Sequence, residues 1–338
     1  MPKKIKILLS ALIIFLIILS VSLGWITLLM KTPVDKNAGY ITFNIPTGAS
    51  FYRISKELEE NGLISSHYIF SLWIKIKGLG NKMKAGEYSL SPSMPPLEIL
   101  GILKQGRVAT HTITIPEGFS MLQIADLFNR AGLADKEKFL EAANSPEILK
   151  KYKIAACNLE GYLYPDTYRM AKGLSAISVI EIMVGRFMEI YNSIIEESSP
   201  SGMSMEELVT LASIIEKETG KSSERPIISS VFHNRLKKGM KLESDPTVIY
   251  GIHDFNGNIT KKDLNTITPY NTYIIPGLPP GPIANPGKAA IEAALKPEDT
   301  EYIFFVSKND GTHVFSEIYR DHVNAVNKYQ KKSKNSNN

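Results

Sequence analysis

Residues 204–220 read S-M-E-E-L-V-T-L-A-S-I-I-E-K-E-T-G, an apolar helix pattern that ends in two acids. Ser204 and Glu207 form a capping box that predicts the helix start, and Gly220 predicts its end. At about 100° per residue the apolar side chains form one arc, and Glu218 falls inside that arc. A carboxyl group among apolar neighbours is costly to ionise, so we expect the pKa of Glu218 to lie well above its usual value of roughly 4.3.

A carboxyl group that keeps its proton near neutral pH can act as a general acid, which makes Glu218 a candidate catalytic residue. The negative end of the helix dipole lies beside Glu218 and also disfavours its ionisation. Glu216 falls at the edge of the apolar arc beside Lys217, so we expect Glu216 to be more exposed and ionised. An ordinary ion pair between helices is the alternative for Glu218, and the helix pattern alone does not separate the two.

The N-terminus carries the pattern of a membrane anchor. Lysines at positions 3, 4 and 6 precede an uncharged apolar run over 7–30, which is long enough to span about 30 Å of hydrocarbon. The basic flank predicts that residues 1–6 lie in the cytoplasm and that the chain beyond this single span lies outside the cell membrane. A cleaved signal peptide is the alternative, but the run is too long for one and lacks a good cleavage site.

Composition favours a folded globular chain beyond the anchor, because 43% of all residues are hydrophobic and 22% are charged. The single cysteine, Cys157, excludes an intrachain disulfide, and we expect it to be a small buried side chain. No His or Cys spacing typical of a metal site and no phosphate-binding glycine loop occurs, so we predict no metal and no cofactor. The net charge of +5 suits anionic lipid and wall polymers and does not indicate nucleic acid.

A weak internal repeat relates residues 45–63 to residues 115–133. Each copy predicts a strand end, a Pro/Gly turn, a serine N-cap and an amphipathic helix closed by glycine. The first copy continues with a predicted helix near 66–77 and a strand near 86–91. This β-α-α-β order over 40–110 resembles a LysM-type module, which binds N-acetylglucosamine chains. A generic unit of strand, turn and helix would give the same pattern.

Loop-rich stretches carry aromatic and polar side chains of the kind that line sugar grooves. The first of them, 159–168, reads L-E-G-Y-L-Y-P-D-T-Y, and similar loops are predicted at 242–251, 268–273 and 276–287. Ordinary turn chemistry explains any one of these residues equally well. The candidates for binding or orienting a substrate are Glu216, Glu160, Tyr162, Asp245, Thr247, Tyr270, Asn271 and Tyr273.

The remaining pattern predicts a long core helix over 176–197 and a shorter helix that is capped by Ser223 and stops at Gly239. Two apolar runs on either side of Asn309-Asp-Gly311 predict a strand hairpin. The polar residues 331–338 predict a disordered tail. Together these elements predict the α+β class.

Five motifs, in this order, resemble the MltG/YceG family of membrane-bound endolytic murein transglycosylases. They are E-G-Y-L-Y-P-D-T-Y, A-S-I-I-E-K-E-T, D-P-T-V-I-Y-G, Y-N-T-Y and G-L-P-P-G-P-I-A-N-P-G. The resemblance covers nearly the whole chain and implies a catalytic domain over 111–330 beyond the LysM-like subdomain over 40–110. The family's catalytic glutamate is the second acid of E-K-E, which is Glu218 here. One departure is Glu243, which stands where the family pattern has glutamine.

The resemblance implies an enzyme that cleaves the MurNAc-β-1,4-GlcNAc bond of nascent peptidoglycan strands and leaves 1,6-anhydroMurNAc ends. It also implies that membrane-bound penicillin-binding protein synthases are its partners. Two other functions stay open at this point. One is a non-catalytic, membrane-tethered glycan-binding scaffold, and the other is a hydrolase that uses Glu218 with a second acid such as Asp245.

Overall fold

The computed structural model describes residues 3–46, 48–79, 83–198, 202–252 and 255–331. The predicted tail over 331–338 lies outside these residues apart from the backbone of its first residue, and the first two residues of the predicted cytoplasmic segment are also outside them.

The chain is mixed α+β, as the pattern predicts, and its strands pair as β1 with β2, β3 with β4 and β5 with β6. The strands are β1 (Ile41–Ile45), β2 (Gly86–Leu90), β3 (Thr110–Thr114), β4 (Thr167–Ala171), β5 (Phe304–Ser307) and β6 (His313–Ser316). The helices are α1 (Lys3–Lys31), α2 (Phe51–Glu60), α3 (His67–Ile76), α4 (Pro96–Gln105), α5 (Met121–Arg130), α6 (Lys136–Ala143), α7 (Pro146–Lys151), α8 (Ala176–Glu196), α9 (Met205–Glu218), α10 (Arg225–Lys237), α11 (Asp245–Gly251), α12 (Lys261–Leu264), α13 (Lys288–Leu295) and α14 (Tyr319–Val326).

Two compact units divide the chain. Unit 1 is Met1–His111 with Ala171–Gly173, and unit 2 is Thr112–Met170 with Leu174–Asn338. Each unit has its own apolar core, because the buried side chains form two separate clusters. The Glu218 helix, α9, belongs to unit 2.

Unit 1 begins with an apolar helix that fits a single-pass membrane anchor. Its candidate membrane span, Ile7–Lys31, is 25 residues long, and the most apolar 18-residue part of this span is not buried. At the end of α1, Met30 is 2% exposed and belongs to the core of unit 1, with Ile26 packed against the same core. The C-terminal end of α1 and the fold that follows it are therefore joined by buried side chains.

The predicted β-α-α-β order of unit 1 is confirmed. β1 and β2 pair antiparallel, with Ile41 opposite Leu90, and α2 and α3 lie between them in sequence. Ser50 caps α2 and Ser66 caps α3, because each serine hydroxyl accepts a hydrogen bond from a backbone N–H in the first helical turn.

Helix α9 is the centre of unit 2. Its predicted capping box is confirmed, since Ser204 accepts from the Glu207 N–H and the Glu207 side chain accepts from the Ser204 N–H. Every residue from 208 to 215 is buried, because α9 packs against α10, α11 and α13. The predicted long helix is also confirmed as α8, which buries Val179 and Met183 in the same core.

Several local predictions are wrong. Ser223 does not cap a helix: it lies within a short 3-10 turn, Ser222–Glu224, and α10 begins directly afterwards with Pro226 in its first turn. Gly220 does not take the left-handed conformation, because extended backbone at Thr219 already ends α9. Cys157 is exposed, since it lies in the irregular segment between α7 and the Glu160 turn.

One of the four predicted loops is partly helical. The stretch 276–287 is irregular as predicted, but part of 242–251 forms α11, with Pro246 in its first turn. Proline suits this position because its missing N–H would have no partner in the first turn of a helix. The hairpin β5–β6 is confirmed, with Phe305 opposite Phe315.

Gly161 allows the 276–287 loop to approach α9 closely. Its φ is 89°, and a Cβ atom there would lie 2.5 Å from Pro282 Cγ and 2.9 Å from Val209 Cγ1. Both distances are shorter than atoms can approach without a shift of the surrounding backbone. Only glycine fits this contact. The contact brings together the 159–168 stretch, α9 and the loop over 276–287, which we call the Pro/Gly loop.

We expect Gly161→Ala to destabilise the protein by more than Gly132→Ala. Gly132 also has a positive φ, 64°, but no atom lies within 4 Å of the Cβ that alanine would add there. The control therefore costs only the backbone strain, about 1–2 kcal/mol, whereas Gly161→Ala adds a steric clash. Urea-unfolding curves of both variants measure the difference. Equal losses of stability would show that the approach to Pro282 is not tightly packed.

Candidate active site

Glu218 is the last residue of α9, and its carboxyl group is hydrogen-bonded on one side. The buried side chains of Leu211 and Ile214 on the preceding turns fix the rotation of the helix, and this rotation sets where Glu218 points. Ser244 Oγ donates a 2.5 Å hydrogen bond to Glu218 Oε1. The residue as a whole is partly exposed.

The pKa of Glu218 is raised from 4.5 to about 7, mainly because burial disfavours the charged carboxylate. The nearby carboxylate of Asp245 raises the pKa further, while the Ser244 hydrogen bond and the Arg235 guanidinium lower it. Near neutral pH, the protonated and ionised forms of Glu218 are therefore both well populated. Such a group can donate a proton and then accept one.

Ser244 is held in place by a buried cluster of hydroxyl groups. Its N–H donates to Thr272 Oγ1 over 3.0 Å, and Thr247 Oγ1 donates to the Ser244 carbonyl over 2.6 Å. The hydroxyls of Thr247 and Thr272 are 2.8 Å apart. Asn271 precedes Thr272 and holds the 268–273 loop in place, because its side-chain amide donates to the carbonyls of Leu264 and Thr266. All these bonds are buried or partly buried, so the hydroxyl that faces Glu218 has little freedom to move.

Asp245 and Tyr273 lie beside Ser244 on a more accessible side. Tyr273 OH donates to Asp245 Oδ1 over 2.7 Å. Burial raises the pKa of Tyr273 well above its usual range, and the bond to Asp245 and the nearby Glu218 raise it further. Asp245 is exposed and Tyr273 is partly exposed, so both side chains remain available to a ligand.

Glu243, the residue that departs from the family pattern, has a left-handed backbone with a φ of 53°. Its carboxylate accepts a 3.0 Å hydrogen bond from Arg235 Nη1, and the same guanidinium donates to the carbonyls of Lys241 and Leu242. Arg235 therefore fixes the chain immediately before Ser244. The extra acid at position 243 is neutralised by this cation rather than directed at Glu218.

The side chain of Glu216 is buried in an ion pair rather than open to solvent. Its side chain is 5% exposed, and it accepts hydrogen bonds from Arg225 Nη2 over 2.6 Å and from the Gly287 N–H over 3.0 Å. Burial raises the pKa of Glu216, and the bonds from Gly287 and Arg225 oppose that rise. The residue ties the end of α9 to the starts of α10 and α13, so it orients α9 rather than contacting solvent.

Glu160 is the centre of a second buried network. Its carboxyl group accepts from the Met121 N–H and from Asn285 Nδ2, each over 2.9 Å, and from Tyr250 OH over 3.2 Å. Burial raises the pKa of Glu160 to about 7, and these hydrogen bonds oppose the rise. The ring of Tyr250 in turn packs edge-on against Tyr270, with the ring centroids 4.8 Å apart. Glu160 thus joins α5, the Pro/Gly loop and α11.

Tyr162, a candidate for binding or orienting a substrate, lies in the core and is not in a position to contact a substrate directly. Its side chain is completely buried against Phe187, with ring centroids 5.2 Å apart. Among the described residues its hydroxyl has no hydrogen-bond partner. Residues 159–165 are all buried, so Tyr162 lies beneath the surface together with its neighbours.

Sequence reasoning missed Ser244, Thr272, Arg225 and Asn285 as parts of the site. Ser244 directly precedes the D-P-T motif, but nothing in the sequence pattern relates it to a glutamate 26 residues earlier. A weak signal existed for Asn285, since it is the single amide in the Pro/Gly-rich loop. The described residues also contain no group of three or more His, Cys, Asp or Glu arranged to hold a metal ion.

Comparison with known proteins identifies the family. The YceG-like family pattern matches residues 43–328. The endolytic murein transglycosylase of Bacillus subtilis (strain 168) is 35% identical over 322 residues, which are 88% of this chain and 87% of that protein. The endolytic murein transglycosylase of Streptococcus pneumoniae R6 is 32% identical over 326 residues, which are 86% of this chain but 58% of that protein.

A solved structure supports the same relationship. The 2.6 Å crystal structure of a YceG-like protein from Listeria monocytogenes is 36% identical to this chain, with a TM-score of 0.58. The match covers 85% of this chain and 99% of the Listeria chain. Because the family pattern spans most of the sequence and a relative above 30% identity covers it, the chain belongs to the YceG-like family.

Proposed function

We propose that this protein is a membrane-anchored, endolytic lytic transglycosylase of peptidoglycan. Its substrate is the MurNAc-β-1,4-GlcNAc bond of nascent strands, and its products carry 1,6-anhydroMurNAc ends. The single observation that carries the proposal is the Glu218 carboxyl group, whose pKa of about 7 lets it exchange a proton near neutral pH. The names of the Bacillus and Streptococcus relatives support the reaction class.

Glu218 acts first as the acid in the proposed reaction. Its proton passes to the oxygen that bridges MurNAc C1 and GlcNAc C4, the C1–O bond breaks, and the electron pair of that bond stays on the oxygen. The GlcNAc end leaves with a free hydroxyl at C4. The carboxylate of Glu218 then accepts the proton of the C6 hydroxyl of the same MurNAc, while the C6 oxygen bonds to C1. Glu218 regains its proton, and no water is consumed.

One carboxyl group is sufficient for this reaction because the attacking hydroxyl belongs to the substrate. A hydrolase needs a second carboxylate to activate water or to attack C1. An intramolecular attack in the right geometry can replace much of that assistance, by up to about 7–11 kcal/mol. Asp245, the nearest candidate for a second acid, is engaged by the Tyr273 hydroxyl.

The other site residues have distinct roles in this proposal. Ser244 is a positioning residue that holds Oε1 of Glu218 and leaves Oε2 to carry the proton toward the glycan. Thr247, Asn271, Glu160 and Glu216 are also positioning residues, because their buried bonds hold the loops and the end of α9. The substrate-binding roles go to the accessible groups, which are Asp245, Tyr270 and Tyr273.

The location of the enzyme follows from α1. We propose that α1 crosses the cytoplasmic membrane once, with residues 1–6 inside and the catalytic domain over 111–330 outside, because the lysines precede the apolar run. The anchor restricts cleavage to glycan near the membrane, where strands are synthesised. Membrane-bound penicillin-binding protein synthases are the partners that this location favours.

We also propose that the β-α-α-β region over 40–110 is LysM-like and binds N-acetylglucosamine chains. A cleft of about 300 Å³ lies beside the turn after β1, lined by Pro46, Ala49, Phe51 and Met83 among other residues. An aromatic ring in a small cleft of polar backbone and apolar side chains suits a pyranose face.

Glu218→Gln is expected to lose cleavage of purified peptidoglycan strands by about 10²–10⁴-fold, because the amide cannot donate and recover a proton. Mass spectrometry of the products distinguishes the reactions: anhydro ends support the lytic mechanism, and reducing ends indicate a hydrolase. Glu206→Gln, on the first turn of α9, is the matched control and keeps its activity. Wild-type protein that binds strands and cuts none would favour the scaffold.

Ser244→Ala is expected to move the alkaline limb of the pH–activity profile upward by roughly one pH unit. The sign follows from Glu218: its acid step needs the protonated form, so activity falls as pH rises through a pKa of about 7. The Ser244 hydrogen bond lowers that pKa, and its loss raises it. Ser230→Ala is the control, because Ser230 is another buried serine and its hydroxyl bonds Thr300. We expect its pH–activity profile to match that of the wild type. A profile unchanged by Ser244→Ala would remove Ser244 from the proposal.

Phe51→Ala is expected to weaken binding of N-acetylglucosamine oligomers to the full chain carrying Glu218→Gln, by about 10-fold if one stacked ring is lost. Tyr52→Ala is the matched control, because Tyr52 is an exposed aromatic that does not line the cleft. Isothermal titration calorimetry measures both affinities. Equal effects of the two substitutions would argue against a glycan site in this cleft.

A further inference from the structure

Helix α3 has an exposed apolar face that nothing in unit 1 covers. Tyr68, Leu72 and Ile76 are spaced four residues apart, and they are 71%, 44% and 60% exposed. Residues at this spacing lie on one side of a helix. A stripe of large apolar side chains along a whole helix is unusual on a soluble surface and indicates a contact with a partner or a membrane.

The exposed stripe adjoins the edge of α3 that lines a crevice together with α1. Leu29 and Met30 at the end of α1 and Ile69 and Phe70 of α3 line the same narrow crevice. At about 100° per residue, Ile69, Ile76, Leu72 and Tyr68 fall within one arc of about 100° on α3. One edge of this arc is therefore packed beside α1, and the rest is open.

The length of α1 places this junction at the surface of the bilayer. A span of 25 residues is about 37 Å long, whereas the hydrocarbon core is about 30 Å thick. In the last turn of α1, Met30 is buried in the core of unit 1, so this side of the helix cannot also be surrounded by lipid. Its neighbour α3 consequently lies near the level where acyl chains meet headgroups.

The charges and rings of α3 match that environment. The helix contains no acidic residue, and Lys75 and Lys77 are exposed at its C-terminal end. The ammonium group of Lys77 lies 5.4 Å from the centre of the Trp73 ring. Tyrosine and tryptophan are enriched at membrane interfaces, and lysine side chains reach from apolar surroundings to anionic headgroups.

We propose that α3 lies along the membrane surface, with Tyr68, Leu72 and Ile76 inserted among the lipids that surround α1. This interfacial contact is a second attachment of unit 1 to the bilayer, and it rests on the proposed transmembrane position of α1. Two attachments restrict how far unit 1 can tilt about the end of α1, which a single flexible anchor would not do.

The test places an environment-sensitive fluorophore (NBD) at single cysteines in the full chain, after Cys157→Ala removes the native exposed thiol. The chain is reconstituted in nanodiscs of phosphatidylcholine and phosphatidylglycerol, with and without lipids that carry a nitroxide near the headgroup end of the acyl chain. Ile76→Cys reports on the proposed face, and Leu72→Cys is a second reporter on it. Lys56→Cys, on the salt-bridged polar face of α2, is the matched control, and Phe15→Cys reports on α1 itself.

Position 76 is expected to show blue-shifted emission and nitroxide quenching several-fold stronger than position 56. Quenching at position 15 without quenching at 72 or 76 would overturn the interfacial contact while leaving the anchor intact. Absence of quenching at position 15 would instead refute the anchor. Blue-shifted emission at 76 that nitroxide lipids do not quench would assign the face to a protein partner or a second copy, and would also overturn the proposal.

Discussion

Burial of α9 on every side is the constraint on which the site depends. A helix enclosed from residue 208 to residue 215 cannot rotate, so the position of its last carboxyl group is fixed by packing and not by the mobility of a loop. The same burial raises the pKa of Glu218 to about 7. Keeping the charged form at such a site costs on the order of 2 kcal/mol after allowance for partial solvent access. Burial at the end of α9 thus accounts both for the position of the Glu218 carboxyl group and for its raised pKa.

The loops around Glu218 are held by hydrogen bonds rather than by apolar packing alone. Ser244, Thr247 and Thr272 form one cluster, and Glu160, Asn285 and Tyr250 form another. Buried polar groups of this kind are stable only when their donors and acceptors are satisfied together. Irregular backbone in 242–251 and 276–287 is therefore compatible with a precisely placed carboxyl group, because each loop has several fixed points.

Unit 1 combines two kinds of contact in a small fold. Its core incorporates Met30 from α1, while its helix α3 leaves an apolar stripe uncovered. The uncovered stripe and the cleft beside the β1 turn are formed by different residues of the same small fold. The hydrophobic pattern of α3, read by itself, would suggest only a helix that is buried on most sides.

Sequence alone determined the elements with strong periodicity or caps, and it singled out Glu218 as the candidate acid. The capping box at Ser204, the β-α-α-β order and the anchor follow from local patterns, and the position of Glu218 follows from helical geometry combined with ordered motifs. What tertiary structure decided were contacts between residues far apart in the chain. The Glu216 side chain is buried because Arg225 and the Gly287 N–H bond to it. Ser244 lies beside Glu218 because α11 packs against α9. No local pattern records which distant donor will lie beside a side chain, since that depends on the packing of whole elements.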